Sequence, residues 1–351
     1  MPKIFFAKIT NMKTIYNKIK LSILFLIISI CKNTASDSQN NLCQTKDYNI
    51  TIFIHGTILP SPNTRFKGHH KYQPINSLGL VKIEPDKEIL KKEPTYLSVT
   101  KKIIKNYDLI EKSVEQNIKN NSDQAFYTFG WDGKLSKKSR LNWAKDLYKQ
   151  IINETEKISK NFLDKKIDSK INITILAHSH GGNVALNLAE AEKEFCKNIK
   201  IKKLVLLGTP VQTETKNFIN SPIFEKIYNI YSSGDMMQVI DIISTKDSIS
   251  HRKFKPDTKE NFTLPDKLKQ AEIIIDNKKP LHGELWLLGE NKVNKLIKNF
   301  VYRDSLSIYP FPVVVFVPKI IDSIEKDLVT KNPKNNYVVK LDKTYLDATK
   351  I

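Results

Sequence analysis

Short apolar segments rich in β-branched residues alternate with amphipathic segments along most of the chain. Strands are predicted at 49–54, 125–131, 171–177, 201–207, 228–231 and 272–275. Apolar residues recur at helical spacing over 96–119, 135–163 and 183–195, and shorter helices are expected around 215–227 and 297–300. Near-continuous apolar strands separated by helices are typical of a parallel sheet with helices on both faces. We therefore expect an α/β fold with a mostly parallel sheet.

The alternation also predicts how the chain is divided. Residues 41–303 are expected to form the α/β domain, with 58–120 as an insertion after the first core strand that could include a lid. Leu59, Leu78 and Leu80 are its candidate lid residues. Residues 304–351 fall outside the alternation and are expected to pack on the domain as a tail. Ile308–Val317 is apolar, but its two prolines favour a packed segment over a membrane span.

Residues 1–40 have the order of a secretory signal. The apolar run Leu21–Ile30 follows a lysine-rich segment and precedes a polar stretch. It is too short to span a bilayer comfortably. We expect export to the periplasm or the exterior, with three processing routes open: cleavage near Ala35, lipidation of Cys31, or an uncleaved anchor. The start at Met1 also stays open, because Met12 begins a compact basic segment.

The positive charge does not predict a nucleic-acid site. The chain has 57 basic and 37 acidic residues, for a formal charge of +20, but only 4 of the basic residues are arginine. Specific nucleic-acid sites rely on clustered arginine for phosphates and base edges. A general bias toward lysine explains the composition better, although nonspecific attraction to an anionic membrane surface or another polyanion stays open.

Polar residues follow several predicted strands at the points where those strands end. The first strand is followed by 55–57 (HGT), the third by 178–182 (HSHGG), the fifth by 232–235 (SSGD) and the sixth by 281–284 (LHGE). The carboxyl ends of parallel strands meet at one edge of a sheet, where ligands bind. The sequence therefore predicts a site at that edge, with Ser, Asp and His in this chain order.

The segment Ala177–Gly181 (AHSHG) resembles the nucleophile elbow G-x-S-x-G of the α/β-hydrolase superfamily, with alanine in place of the first glycine. The resemblance covers roughly 49–300 and is strongest to lipases and serine esterases, in which a similar His-Gly turn follows the first core strand. It implies an α/β-hydrolase fold and a serine hydrolase that cleaves acyl esters, either lipids or other carboxylic esters, without a cofactor.

The resemblance also implies a role for each candidate residue. Ser179 would be the nucleophile, Asp235 the acid and His282 the base, with Asp241 and His251 as rivals for the last two roles. The backbone N–H groups of Thr57 and His180 would form the oxyanion hole. The remaining candidates are expected to line the pocket: His55, Gly56, His178 and Trp131. Trp131 could equally be a core residue.

Other interpretations of the histidines and cysteines have less support. A metal site built from His55, His178 and His180 lacks supporting carboxylate or cysteine spacing, and His69 and His70 are expected to be a surface pair. Cys43 and Cys196 are both expected at the amino-end edge of the sheet, where a disulfide could join them.

Three alternatives to an esterase stay open from the sequence. A thioesterase or acyltransferase would use the same triad. A catalytically inactive hydrolase fold could serve as a binding protein of the cell envelope. A polyanion-binding protein is suggested by the charge alone.

Overall fold

A computed structural model of the protein describes residues 45–57, 78–84, 95–115, 122–165, 167–239, 250–286, 312–328, 330–332 and 336–341. Its strands are β1 Thr45–Ile54, β2 Gly79–Ile83, β3 Asp123–Gly130, β4 Asp168–His178, β5 Lys203–Leu207, β6 Ile227–Tyr231, β7 Leu268–Ile275, β8 Thr330–Asn332 and β9 Asn336–Leu341. Its α-helices are α1 Thr95–Glu115, α2 Lys137–Asp164, α3 His180–Leu186, α4 Leu188–Phe195 and α5 Val317–Glu325. Single 3-10 turns lie at Lys216–Asn220, His282–Leu285 and Val313–Phe316.

The strands form one mostly parallel sheet. Over the described residues it has nine strands in the order β2-β3-β1-β4-β5-β6-β7-β9-β8. The central pairs are parallel, and β2 and β8 add antiparallel pairs at the two edges. Ile54 of β1 pairs with Ala177 of β4, so the carboxyl ends of these strands lie level. The predicted α/β class is confirmed.

The alternation of side chains along each strand produces two apolar cores. Ile52 and Ile54 of β1 belong to a core shared with α2, α3 and α4. Phe53, between them, belongs to the opposite core, which includes residues of α1, α5 and the turn Val313–Phe316. Successive strand residues point to opposite faces, so each strand contributes to both cores and helices cover both faces.

The predicted insertion includes elements that belong to the sheet and its cover. Leu80, a candidate lid residue, lies in β2 and packs against the core, and Leu78 precedes this strand. The helix predicted at 96–119 is α1, which packs against α5 and contributes Ile104 and Tyr107 to the core that they share. Leu59, His69 and His70 lie outside the described residues.

The C-terminal tail extends the sheet. Val313–Phe316 and α5 pack on the domain, and β9 pairs in parallel with β7. The expectation that this region lies outside the strand–helix pattern was therefore wrong for β9. The segments 304–311 and 287–300, which include the helix expected around 297–300, lie outside the described residues.

Several predicted boundaries also differ. The helix predicted at 183–195 begins at His180 and is divided at Asn187 into α3 and α4. The helix predicted at 215–227 is only the 3-10 turn Lys216–Asn220.

The predictions for the N-terminal segment fall on residues that are not described. Leu21–Ile30, Cys31 and Cys43 all lie there. Within the described part of the chain, no helix is long and apolar enough to cross a membrane. Cys196 is exposed just after α4, but its pairing with Cys43 stays a prediction.

Glu325, at the end of α5, ties this helix to the sheet. Tyr228 donates a hydrogen bond to Oε1 at 2.6 Å, Lys269 Nζ lies 2.9 Å from Oε1, and Lys226 Nζ lies 2.9 Å from Oε2. Partial burial alone would raise the pKa of the Glu325 carboxyl, but these hydrogen bonds outweigh it and lower the pKa to about 2. The ordinary value is about 4.3, so the carboxylate stabilises the fold above that pH and stops doing so as the pH falls toward the lowered value.

We expect Glu325→Gln to lower the free energy of unfolding by about 1 kcal/mol near neutral pH, because the partly exposed site is screened by solvent. The deficit should shrink as the pH falls below about 4, since the wild-type carboxylate then also becomes protonated. Urea unfolding across this pH range measures the effect. Glu156→Gln, at an exposed position of α2, is the matched control. A deficit independent of pH would contradict this assignment.

Candidate active site

The carboxyl edge of the sheet brings together residues that are far apart in sequence. His55–Thr57 follows β1, Ser179 follows β4, Asp235 follows β6 and His282 follows β7. These strands lie side by side with β5 in the middle. The residues predicted from the strand ends therefore share one edge.

Ser179 occupies a sharp turn between β4 and α3. Its backbone has φ 52° and ψ −132°, a combination that L-residues rarely adopt. Its N–H donates to Leu207 O at 2.9 Å, and its own carbonyl accepts from Gly182 N–H at 2.9 Å. The turn is fixed on both sides and presents the Ser179 side chain at the edge of the sheet.

Glycines allow the backbone to pack closely around this turn. A Cβ atom at Gly181 would lie 2.2 Å from the backbone oxygen of His55, and one at Gly182 would lie 2.0 Å from Thr209 Oγ1. A Cβ atom at Gly56 would lie 2.7 Å from the Cβ of Ser179. These distances are shorter than van der Waals contact, so the start of α3 can lie this close to the segments that follow β1 and β5 only without side chains at these positions.

Asp235 and His282 form a hydrogen-bonded pair. His282 Nδ1 lies 2.7 Å from Asp235 Oδ2; the carboxylate is fully buried, and the imidazole is 19% exposed. A carboxylate can only accept, so Nδ1 carries the proton and Nε2 is left as the basic nitrogen. The arrangement is that of an acid which orients a general base.

The loop that carries Asp235 is held by neighbouring residues. Asp235 Oδ1 accepts from the N–H of Gln238 at 3.0 Å, and Arg252 Nε donates to the backbone oxygen of Asp235 at 3.0 Å. Gln238 Nε2 also donates to Thr209 O at 2.7 Å, which links this loop to the end of β5.

Gly208 lies close to both the Ser179 turn and the Asp235–His282 pair. The N–H of Ser179 donates a hydrogen bond to the carbonyl of Leu207, which is the residue before Gly208. Gly208 itself has φ +57°. A Cβ atom at Gly208 would lie 3.0 Å from Asp235 Oδ2 and 3.4 Å from His282 Nδ1. The serine turn and the pair therefore lie on either side of one glycine. Among the described residues no hydrogen bond joins Ser179 Oγ to His282, and such contacts often tighten only with substrate.

The ring of His178 packs against His282 and Trp286. Its ring centroid is 4.5 Å from that of His282, and its ring stacks on Trp286 with centroids 5.6 Å apart and planes 10° apart. Its Nε2 lies 3.1 Å from the backbone oxygen of His282. Burial, reinforced by the neighbouring His282, lowers the pKa of His178 well below the ordinary value.

His55 controls the direction of the turn that follows β1. Its Nε2 accepts from Trp131 N–H at 3.2 Å, so the proton is on Nδ1, which donates to the carbonyl of Gly56. In a trans peptide the C=O and the following N–H point in opposite directions. The N–H of Thr57 therefore points away from the His55 ring. Trp131 is a core residue that stacks behind His55 and donates Nε1–H to its carbonyl at 2.8 Å.

The remaining candidates are placed as follows. His180 is the first residue of α3 and is buried. His251 is exposed and pairs through its backbone with Val211. Asp241 lies outside the described residues. Among the described residues no cluster of three or more His, Cys, Asp or Glu side chains could hold a metal ion.

A small, mostly apolar cavity lies next to His55 and Trp286, on the face of the sheet covered by α1. It is lined by Phe53, His55, Thr100, Ile103, Ile104, Thr128 and Trp286.

Sequence reasoning missed Gly208, Arg252 and Trp286. Gly208 directly follows β5, so the inspection of residues that follow each predicted strand could have identified it. Trp286 follows His282 by four residues and is aromatic, but the turn that brings it under His178 has no distinct sequence pattern. Arg252 contacts Asp235 from a separate segment, for which the sequence carries no signal.

No protein-family model and no curated protein sequence matches the chain.

The strained backbone at Ser179 makes a testable prediction. Glycine tolerates this conformation and alanine does not, so Ser179→Gly should be more stable than Ser179→Ala by about 1 kcal/mol: relief of about 1–3 kcal/mol of strain exceeds the 0.5–1 kcal/mol entropic cost of glycine. The two variants differ by one methyl group and both lack the hydroxyl, so each is the control of the other. Urea unfolding compares them. An alanine variant as stable as the glycine variant would contradict the strained turn.

Proposed function

We propose that the chain is a member of the α/β-hydrolase superfamily and that it hydrolyses acyl esters through Ser179, Asp235 and His282. The observation that carries this proposal is the 2.7 Å contact between His282 Nδ1 and the buried carboxylate of Asp235, separated by one glycine from the Ser179 turn. Support also comes from the chain order Ser, Asp, His and from the strand–turn–helix context of the serine.

The reaction follows from the proton positions. His282 Nε2 accepts the Ser179 proton while Ser179 Oγ attacks the acyl carbon. The imidazolium that forms is stabilised by Asp235 through Nδ1, and Nε2 then protonates the departing alcohol. The acyl group is left on Ser179. A water molecule, deprotonated by His282, releases it as a carboxylic acid and restores the serine.

The oxyanion that forms on the acyl carbonyl needs hydrogen-bond donors near Ser179. The backbone N–H groups of Thr57 and His180 are the proposed donors. The bond from His55 to the Gly56 carbonyl fixes the direction of the Thr57 N–H. His180 begins α3, so its N–H lies in the first turn, where helix N–H groups lack intrahelical acceptors.

Two alternatives to ester hydrolysis differ from it only in the acyl substrate or in the molecule that accepts the acyl group. Thioester hydrolysis and acyl transfer use the same three residues. An inactive binding protein is disfavoured by the strained serine, because such strain persists in folds mostly where function uses it. Export, and with it a lipid substrate at an anionic surface, stays a proposal that rests on residues 1–40 and on the charge of +20.

We expect a fluorophosphonate probe to label the wild-type protein at Ser179, because only a serine activated by a base attacks phosphorus at a useful rate. Ser179→Ala should not be labelled. Peptide mass spectrometry identifies the labelled residue. Folded wild-type protein that is not labelled would overturn the proposal and favour the binding protein.

We expect Asp235→Asn to lower the kcat for a short-chain ester by a factor on the order of 10⁴, because an amide no longer holds the correct His282 tautomer. Asp164→Asn, at the exposed end of α2, is the matched control and should keep wild-type kcat. Steady-state kinetics measure both variants. A fall of less than tenfold in Asp235→Asn would point to another acid.

A further inference from the structure

His178 contacts the proposed base in two ways. The ring contacts both Trp286 and the imidazole of His282, and Nε2 lies within hydrogen-bond distance of the backbone oxygen of His282. Because a carbonyl only accepts, Nε2–H of His178 is the donor and Nδ1 carries no proton. This buried side chain is otherwise unused by the proposed mechanism.

The Asp235 bond alone does not fix the base. A single hydrogen bond at Nδ1 leaves His282 able to rotate about that contact, which would carry Nε2 away from Ser179. The bond from His178 restrains the main chain of His282, and the ring contact restrains the imidazole plane. With Asp235 at Nδ1, the base is held at three points.

The burial of His178 suits this role. The lowered pKa keeps the ring neutral when His282 becomes charged during the reaction, so no second positive charge forms 4.5 Å away. The groups that face His178 are His282, His55 and His180, and a charge on any of these rings disfavours a charge on His178. The hydrogen bond to the His282 carbonyl acts in the opposite direction, but burial is the larger effect and lowers the pKa of His178. A neutral ring with a fixed donor can hold the carbonyl in both protonation states of the base.

We propose that His178 is a positioning residue that holds His282 in reach of Ser179 through its Nε2–H and its stacked ring. The proposal rests on the proposed function in that His282 is the base. It predicts that removal of the donor affects turnover while substrate binding is retained.

His178→Phe keeps a stacked ring and removes the donor. We expect a fall in kcat of about ten- to a hundredfold, the effect of a misplaced catalytic group, with little change in KM. His178→Gln restores an amide N–H near the position of Nε2, and its kcat should lie closer to that of the wild type. His251→Phe, at an exposed histidine, is the matched control. Wild-type kcat in folded His178→Phe would overturn the proposal.

Proton NMR tests the same contact without turnover. The Nδ1–H of His282, bonded to the buried Asp235, should give a downfield resonance in the wild type and in His178→Gln. In His178→Phe this resonance should broaden through faster solvent exchange. An unchanged resonance would overturn the positioning role even if the protein proved not to be a hydrolase.

Nitrogen-15 NMR of the wild type provides a measurement that needs no variant. His178 should remain the neutral Nε2–H tautomer from about pH 5 to 8, the range in which ordinary histidines titrate. A titration of His178 in this range, or a proton on its Nδ1, would overturn the proposal. Failure of the fluorophosphonate probe to label the wild type would instead overturn the proposed function.

Discussion

The close approach of α3 to the ends of β1 and β5 is the constraint on which the rest of the site depends. Gly181 lies against the backbone of His55, and Gly182 lies against Thr209, at distances that exclude a Cβ atom. Because the helix begins at this contact, the chain must turn within one residue, and Ser179 takes the strained conformation that results. The same contact brings the serine next to the turn that contains Thr57. A looser contact would separate these groups.

The central part of the fold could be predicted because its strands are buried on both faces. Leu204–Leu207 is apolar without interruption and Ile173–Ala177 is interrupted only by Thr174, which identifies both segments as strands from the sequence alone. The edge strands lack this property. In β2 only Gly79 and Ile83 are buried, and in β9 buried residues alternate with partly buried or exposed ones. Their pairing is decided by contacts with the sheet, which a local pattern does not contain.

The predicted edge placed Ser179, Asp235 and His282 together because the strand ends were identified correctly. The supporting contacts could be predicted less well, since they depend on which face each side chain points to. Leu176 and Ala177 belong to opposite cores, and His178 stacks on Trp286 on the Leu176 side, so alternation along β4 could have indicated the face of the sheet to which His178 points. Its partner Trp286 could not be inferred, because the 3-10 turn that delivers it has no periodic pattern.

Four of the five histidines in the described part of the chain gather at this edge, and they differ in burial and in hydrogen bonding. Burial disfavours a charge on His178, and the Nε2 lone pair of His55 is occupied by the N–H of Trp131. His282 differs because its Nδ1 is bonded to a carboxylate and its ring is partly exposed. These differences in burial and hydrogen bonding support His282 as the proposed base. His178 and His180, which flank Ser179 in the sequence, are buried instead, and His178 contacts the backbone of His282.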